Sequence, residues 1–199
     1  MTFRLGLTGS IGMGKSTTAA MFAAANVPLW DADACVHRLY DKGGEAVAPL
    51  SKLCPQATKS GVVDRTALKE WIGADATALR QIEAVVHPMV AADRAAFLLT
   101  TKADLVVLDI PLLFENDSAS EFDATLLVTA PAEIQRSRVL NRPGMTVEQF
   151  NRILARQMPD GQKRGLATHI VETLDLVSTQ AYVSALITHI RGRDARNRS

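Results

Sequence analysis

Gly9-Ser10-Ile11-Gly12-Met13-Gly14-Lys15-Ser16 fits the pattern G-x-x-x-x-G-K-[ST], and this stretch decides the fold of the chain. The apolar residues before it predict a short strand, and the alanine-rich residues 16–25 after it predict a helix. A glycine loop between a strand and a helix points successive backbone N–H groups inward, and the helix N-terminus adds a partial positive charge. The stretch therefore predicts a binding site for the phosphates of a nucleoside triphosphate.

Each residue type in the loop has a physical role. Glycines permit backbone angles and close approaches that a side chain would block. The Lys15 ammonium reaches the β- and γ-phosphates, and the Ser16 hydroxyl is a ligand for Mg²⁺. The loop residues predicted to bind the nucleoside triphosphate are Ser10, Ile11, Gly12, Met13, Gly14, Lys15, Ser16 and Thr17.

Length and composition indicate one α/β chain of ordinary size with an inserted helical piece. The chain has 199 residues, 47% of them apolar and 22% charged, and a formal net charge of +1. This charge argues against a dedicated nucleic-acid binder, and no apolar run approaches the roughly 20 residues of a membrane-spanning helix. We therefore expect no nucleic-acid or membrane partner, and the sequence implies no protein partner. The basic residues 191–199 have two interpretations, a nucleic-acid arm or a solvated helix end, of which we favour the second.

The start of the chain and its cysteines predict a cytoplasmic protein. Met1 leads directly into the first predicted strand, which leaves no room for a signal peptide. Cys35 and Cys54 lack C-x-x-C spacing, and free thiols in a reducing compartment are the expectation. The four histidines show no spacing with them that would indicate zinc.

Apolar and β-branched runs predict five strands, separated by helical patterns. The strands are expected at residues 4–8, 27–30, 105–110, 124–129 and 169–172, and the helices at 15–25, 33–42, 76–101, 132–141, 147–158 and 178–191, with a mixed stretch at 45–71. This alternation predicts a P-loop NTPase fold, in which helices flank a mostly parallel five-stranded sheet.

The gap of about 75 residues between the second and third predicted strands is far longer than a crossover helix needs. We expect it to form a helical insertion at about 34–103. The nucleotide-binding core would then comprise about 1–33, 104–135 and 165–199, with a lid at about 136–164.

Asp109 ends an apolar strand, the usual place for an acid that partners a P-loop. At the carboxyl end of the sheet it would hold Mg²⁺ or its water shell, and the alternative is a cap on the following Pro111 turn. The T-K-x-D string at 101–104 is typical of GTPases, but here it precedes the strand, and the residues after Asp109 lack the expected glycine. We therefore interpret the string as a helix-to-strand turn.

Asp31 and Asp33 follow the second predicted strand, where ligands collect in open α/β sheets. Both carboxylates would share one side if the strand continued through them. A hydroxyl that accepts a phosphoryl group needs a carboxylate to orient it and take its proton, and we favour Asp33 for this role. One of the two acids could equally cap the helix that opens at Ala34.

Arginines concentrate in the helices predicted late in the chain. A guanidinium matches the geometry of phosphoryl oxygens, and two helices joined by a Pro-Gly turn suit a lid that closes over the donor. A solvated helix face is the alternative for any one of them. The residues are Arg136, Arg138, Arg142, Arg152 and Arg156.

With these residues in hand, the chain resembles the dephospho-coenzyme A kinase family. The similarity runs from about residue 5 to about residue 171. Beyond the P-loop, the strings Asp31-Ala-Asp33 and Pro111-Leu-Leu-Phe-Glu115 carry it, and the P-loop by itself is not specific to the family. Further matching residues are Asp64, Arg65, Leu68, His87, Pro88, Gln135, Arg138, Arg142, Arg156, Gln157 and Met158.

The resemblance implies a fold, a reaction and a set of roles. It implies ATP with Mg²⁺ as donor, the ribose 3′-hydroxyl of dephospho-coenzyme A as acceptor, and a body made of core, acceptor domain and lid. Asp33 would be the base, Lys15 and Ser16 would bind phosphates and metal, and Arg138 and Arg142 would approach the transferred phosphoryl group and the adenine. The acceptor site would be lined by Asp31, Arg65, His87, Leu113, Phe114 and Glu115.

Two positions depart from the family pattern. Thr168 and Thr173 stand near the last strand where Asp and Asn are common, so the adenine contacts expected there are altered. Two other functions share the same core: a kinase for a different small molecule, and a nucleotide-binding regulator without an acceptor.

Overall fold

The computed structural model describes residues 2–196, with the backbone alone at 193–196. The described part contains seven strands: β1 Phe3–Thr8, β2 Leu29–Asp31, β3 Thr58–Lys59, β4 Val62–Val63, β5 Leu105–Asp109, β6 Ala124–Thr129 and β7 His169–Glu172. Its α-helices are α1 Lys15–Ala24, α2 Ala32–Tyr40, α3 Val47–Leu53, α4 Arg65–Ala74, α5 Ala78–Thr100, α6 Ala132–Leu140, α7 Val147–Leu154, α8 Asp160–Leu166 and α9 Leu176–Arg196.

The chain divides into two compact units. One comprises the residues up to Trp30 together with those from Lys102 onward, and the other runs from Asp31 to Thr101. Residues 136–164, which we predict to be a lid, belong to the first unit. The roles of acceptor domain and lid stay predictions.

A five-stranded sheet in the order β2-β5-β1-β6-β7 forms the first unit. The ladders of β1 with β5 and β6, and of β6 with β7, are parallel, so that Leu5 aligns with Val107 on one side and with Ala124 on the other. Every residue of β5 and β6 is buried, because helices cover both faces of a parallel sheet. The predicted fold class is confirmed.

One face of the sheet packs against α1 and α9. Phe22 of α1 and Ile187 of α9 join a buried cluster with Leu5, Leu7 and Leu126 of the central strands. The loops that follow parallel strands lie at the carboxyl edge of the sheet. The packing of α1 against the sheet therefore fixes the position of the loop between β1 and α1 at this edge.

The second unit consists of α2 to α5 and the β3–β4 hairpin. Asp64 caps α4 by accepting hydrogen bonds from the N–H groups of Thr66 and Ala67 at 2.8 and 3.2 Å. Between α2 and α5, both carboxylate oxygens of Asp93 accept hydrogen bonds from the Arg38 guanidinium, at 2.9 and 3.0 Å. These polar contacts fix the directions of the helices around a small apolar core.

Both cysteines are free, as predicted, and the structure shows that both are buried. Cys35 lies in α2, where burial and, to a smaller extent, the nearby Asp93 carboxylate together raise the pKa of its thiol to about 11. A thiol with such a pKa stays protonated at neutral pH, so Cys35 is a packing residue rather than a nucleophile.

One predicted helix boundary was wrong, and the structure resolves two points that the sequence left open. β2 ends at Asp31 and α2 begins at the next residue, so Asp31 and Asp33 do not share a strand. The helix predicted at 147–158 ends at Leu154, and a separate helix α8 begins after Pro159. A residue before proline avoids the helical region, which explains the break at Met158. The mixed stretch 45–71 contains α3, the hairpin and the start of α4.

No helix in the described range 2–196 is long and apolar enough to cross a membrane. At the other end of the chain, α9 extends to Arg196, and the Arg191 guanidinium pairs with Asp104 at 3.0 Å. The last three residues of the basic segment 191–199 lie outside the described part of the chain.

Candidate active site

The loop between β1 and α1 adopts the conformation that a phosphate cradle requires. Gly14 is the N-cap of α1 with φ 92°, and no side chain in the described part of the chain caps this helix. Gly12 has φ 77°, and a Cβ there would collide with Val139 and lie 3.0 Å from the Gln135 carbonyl oxygen. Glycine at these two positions is therefore required by backbone angle and by space. The helix leaves its first N–H groups for an external acceptor.

The carbonyl oxygens of the loop are held by side chains from other elements. Ile11 O accepts a hydrogen bond from Gln135 Nε2 at 2.8 Å, and Met13 O accepts one from Thr173 Oγ1 at 2.8 Å. The Met13 N–H donates to Ser10 O at 3.1 Å, which closes a turn inside the loop. Carbonyls that are engaged in this way do not point at an anion bound within the loop.

Lys15 and Asp109 form an ion pair at the carboxyl edge of the sheet. Lys15 Nζ lies 2.5 Å from Asp109 Oδ1, and the Asp109 side chain is only 3% exposed. The pair brings together the predicted phosphate-binding cation and the predicted metal-binding carboxylate. Ser16, the other predicted metal ligand, is exposed in the first turn of α1.

The donor set fits Mg²⁺. The Ser16 hydroxyl and the Asp109 carboxylate are hard oxygen ligands, the type that Mg²⁺ prefers. Among residues 2–196, no group of three or more His, Cys, Asp or Glu side chains could hold a metal ion. In phosphotransferases Mg²⁺ usually takes one or two protein ligands and completes its shell with phosphate oxygens and water, and Ser16 and Asp109 would be those ligands.

A cavity of about 330 Å³ opens beside the P-loop, at the lower end of the sizes typical of ligand pockets. Gly12, Gly14 and Thr17 of the loop and α1 line it together with Arg138 and Arg142. Residues of the chain that follows β7 also line it: Thr173, Leu174, Asp175 and Leu176. The sequence analysis predicted the arginines and named Thr173 as a position of altered adenine contacts, but it missed Leu174, Asp175 and Leu176, because no motif marks them.

The two predicted arginines differ in how they are held. Arg138, half-buried on α6, donates from Nη1 to Thr173 Oγ1 at 2.9 Å and from Nη2 to the Thr173 carbonyl at 2.5 Å. Arg142 follows the end of α6 and is exposed. The structure therefore brings both arginines to one cavity, with Arg138 oriented by a bidentate contact.

Thr173 connects three parts of the site. Its buried hydroxyl donates to Met13 O and accepts from Arg138, and its backbone N–H donates to Thr129 O at 2.9 Å. Thr168, the other position that departs from the family pattern, is exposed and exchanges hydrogen bonds with Thr125 at 3.0 and 3.2 Å. The cavity is lined by Thr173. The role of this residue escaped the sequence analysis because it depends on partners far away in the chain.

The structure separates the roles of the two acids after β2. Asp31 is the N-cap of α2, and its Oδ1 accepts a hydrogen bond from the Ala34 N–H at 3.0 Å. Asp33 lies in the first turn of α2 with an exposed side chain. The capping alternative that we left open therefore applies to Asp31, and the Asp33 carboxylate is the one that faces solvent.

The predicted acceptor residues occupy different surroundings. In the second unit, Arg65 is exposed with its guanidinium 5.6 Å from the centre of the Tyr40 ring, and His87 is exposed on α5 just before Pro88. In the first unit, Leu113 and Phe114 are buried, at 0% and 5% exposure. A buried side chain contacts a ligand only after a rearrangement. Acceptor binding by these residues stays a prediction.

Glu115 belongs to a buried ion pair. Its Oε1 lies 2.7 Å from Lys163 Nζ and accepts a hydrogen bond from the Met158 N–H at 2.9 Å. The Lys163 side chain is fully buried, whereas that of Glu115 is 14% exposed. This pair anchors the connection between α7 and α8. The sequence analysis assigned Glu115 to the acceptor and gave Lys163 no role.

Together, the phosphate cradle, the Lys15–Asp109 pair and the arginine-lined cavity define a P-loop phosphotransferase site. Solved P-loop kinases share this architecture. Shikimate kinase from Acinetobacter baumannii superposes with a TM-score of 0.55 at 16% identity over 97% of this chain and 95% of its own, which shows the fold alone.

The particular family follows from closer relatives. A family model for dephospho-CoA kinase matches residues 3–176, and the chain belongs to that family. It is 66% identical to the dephospho-CoA kinase of Cereibacter sphaeroides over 95% of this chain and 96% of that one. The corresponding enzyme of Jannaschia sp. is 53% identical over 96% and 98%. A solved Thermus thermophilus protein superposes with a TM-score of 0.86 at 35% identity over 94% and 97%.

Replacing Thr173 by valine keeps the shape of the side chain and removes its hydroxyl. We expect Thr173→Val to lower kcat/KM for ATP about tenfold or more, because Met13 O loses its donor and Arg138 loses an acceptor. Thr173→Ser should recover most of the loss. The measurement is steady-state kinetics at varied ATP concentration.

Thr168→Val is the matched control for this change. It removes a threonine hydroxyl at the start of β7 that bonds only Thr125 among the described residues, so stability should fall slightly and the KM for ATP should stay the same. Equal effects of the two valine substitutions on ATP kinetics would contradict the assignment of Thr173.

Removal of one member of the buried Glu115–Lys163 pair should destabilise the protein. Lys163→Met leaves a carboxylate without its cation, and we expect the free energy of unfolding to fall by about 3 kcal/mol. The double variant Glu115→Gln with Lys163→Met should recover part of that loss. Urea denaturation followed by circular dichroism measures both, and a loss below about 1 kcal/mol for Lys163→Met would argue against the pair as an anchor.

Proposed function

We propose that this chain transfers the γ-phosphoryl group of ATP to the ribose 3′-hydroxyl of dephospho-coenzyme A, releasing coenzyme A and ADP. As a member of the dephospho-CoA kinase family, it catalyses the last step of coenzyme A biosynthesis. In the structure, the observation that carries the proposal is the uncapped N-terminus of α1 beside a cavity lined by two arginines. Both features favour a polyanion with an organic group attached.

The donor's phosphates would be bound by the first turn of α1 and by Lys15. The backbone N–H groups of Gly12 and of residues 14–17 would supply the donors, and Lys15 would exchange its contact with Asp109 for contacts with phosphate oxygens. Asp109 would then be available to Mg²⁺ together with Ser16. When bound, Mg²⁺ would neutralise charge on the β- and γ-phosphates.

Asp33 would orient the acceptor and take its proton. In the transfer, the 3′-oxygen forms a bond to the γ-phosphorus while the bond from that phosphorus to the β–γ bridging oxygen breaks, and the hydroxyl proton passes to the Asp33 carboxylate. The exposed side chain of Asp33 and the use of Asp31 as a cap both support this choice.

Arg138 and Arg142 would stabilise charge on the phosphoryl group in transit. Arg138 is already oriented by Thr173, so it contributes little reorganisation in the reaction. Arg142 is exposed and would approach the donor's adenine and phosphates when residues 136–164 close as a lid.

The remaining assignments follow from the same proposal. The predicted acceptor-binding residues are Arg65 and His87 in the unit from Asp31 to Thr101, and Leu113, Phe114 and Glu115 in the first unit. A cytoplasmic location also stays a prediction from the sequence.

The reaction is tested by supplying ATP and Mg²⁺ with different acceptors. We expect ADP formation that depends on dephospho-coenzyme A and a product heavier by one phosphoryl group, measured by coupled ADP detection and mass spectrometry. Nucleoside monophosphates, shikimate and an acceptor-free sample should give at most about a hundredth of that rate. Faster turnover of another acceptor would replace the proposed substrate, and ATP binding without any product would indicate a regulator.

The role of Asp33 is tested by Asp33→Asn. We expect ATP affinity to be unchanged and kcat to fall by a factor of about 100 or more, because the amide accepts no proton. Asp41→Asn is the matched control, since it removes the same charge from the other end of α2. A kcat for Asp33→Asn within a factor of three of the unmodified enzyme would remove Asp33 from the mechanism.

A further inference from the structure

Both backbone groups of one P-loop residue are held by glutamine side chains. The Ile11 N–H donates to Gln157 Oε1 at 3.1 Å, and the Ile11 carbonyl accepts from Gln135 Nε2 at 2.8 Å. Gln135 is 5% exposed on α6, whereas Gln157 is half-buried between α7 and α8. Two separate segments therefore meet at a single residue of the loop.

The chemistry of the backbone determines which end of each amide faces Ile11. A peptide N–H can only donate and a peptide carbonyl can only accept, so Gln157 must present its oxygen and Gln135 its nitrogen. The two glutamines are thus not interchangeable, and each is suited to one of the two groups.

The loop needs this support because glycine makes its backbone permissive. Gly12 follows Ile11 with φ 77°, a conformation in which neighbouring peptide groups can turn over at little cost. If the peptide between Ile11 and Gly12 turned over, its carbonyl oxygen would point into the cradle and repel phosphate oxygens, and the Gly12 N–H would point away. Gly12 in the turn closed by Met13 N–H and Ser10 O favours the observed orientation but also tolerates the other, so contacts from outside the loop add to the choice.

We propose that Gln135 and Gln157 are positioning residues that clamp the Ile11 peptide groups and so set the P-loop for a triphosphate. The clamp also connects the loop to the segment after α7, which we predict to be part of the lid. Movement of that segment therefore changes the orientation of the Ile11 peptide. The inference rests on the proposed function only in taking the triphosphate to be ATP.

The test compares leucine and glutamate substitutions at both positions. Glutamate keeps an acceptor oxygen but has no amide donor, so it preserves the contact of Gln157 and inverts that of Gln135. ATP affinity is measured by calorimetric titration without acceptor, and kcat and both KM values are measured in the complete reaction.

We expect Gln135→Leu and Gln157→Leu each to weaken ATP binding about five- to tenfold, with the KM for the acceptor changed less than twofold. Gln157→Glu should bind ATP at least threefold more tightly than Gln157→Leu. Gln135→Glu should bind it more weakly than Gln135→Leu, because a carboxylate faces the Ile11 carbonyl. This opposite response to one substitution is the signature of the clamp.

Gln162→Leu and Gln162→Glu are the matched controls, since Gln162 is exposed on α8 and brings the same added charge to the same segment. Both should bind ATP as the unmodified chain does. The clamp would be overturned if glutamate changed ATP affinity in the same direction at both positions, relative to leucine at each. Unchanged ATP affinity in the two leucine variants would overturn it as well. If Gln135→Glu fails to fold by circular dichroism, the Gln157 pair decides alone.

The titration also separates this inference from the proposed function. An unmodified chain that binds ATP but forms no product from dephospho-coenzyme A would refute the function, while the affinity series would still support or overturn the clamp.

Discussion

A loop that binds a triphosphate through its amide groups must keep its carbonyl oxygens turned elsewhere. Amide and carbonyl alternate along a backbone, so an inward row of N–H groups requires an outward row of oxygens that find other donors. In this chain those donors come from α6 and from the end of β7, through Gln135 and Thr173. The rest of the first unit can be understood as the scaffold that brings these donors to the loop.

The sheet order explains how such distant residues meet. β6 and β7 lie beside β1 in parallel register, so the residues that follow all three strands emerge at one edge. Thr173 directly follows β7 and reaches Met13, although 160 residues separate them. Burial of the strands thus has a functional consequence: the apolar core determines which polar side chains surround the phosphate site.

Much of this could be predicted from the sequence, since strands and P-loop depend on local patterns. The buried runs at β5 and β6 and the glycine spacing at Gly12 and Gly14 are signals of that kind. The contacts of Thr173 and Lys163 could not be predicted, because their partners lie far away in the chain. No local sequence pattern around a single polar residue indicates which distant residue it contacts. The cap of α2 was predictable only in part. The sequence allowed either Asp31 or Asp33 to cap the helix, and the structure shows that Asp31 does so because β2 ends at that residue.

The two arginines of the cavity illustrate a balance that a phosphotransferase requires. A guanidinium fixed in advance stabilises developing charge without reorganisation, but a fully rigid site would hinder entry and release of the nucleotide. Arg138 is fixed by Thr173 and borders the loop, whereas Arg142 lies beyond the end of α6, where the chain turns at Pro143 and Gly144 toward α7. Because Thr173 orders both Arg138 and Met13 O, one hydroxyl links the fixed arginine to the loop, while the contact of Gln157 with the Ile11 N–H links the loop to the segment after α7, so that movement of that segment reaches the cradle through Ile11.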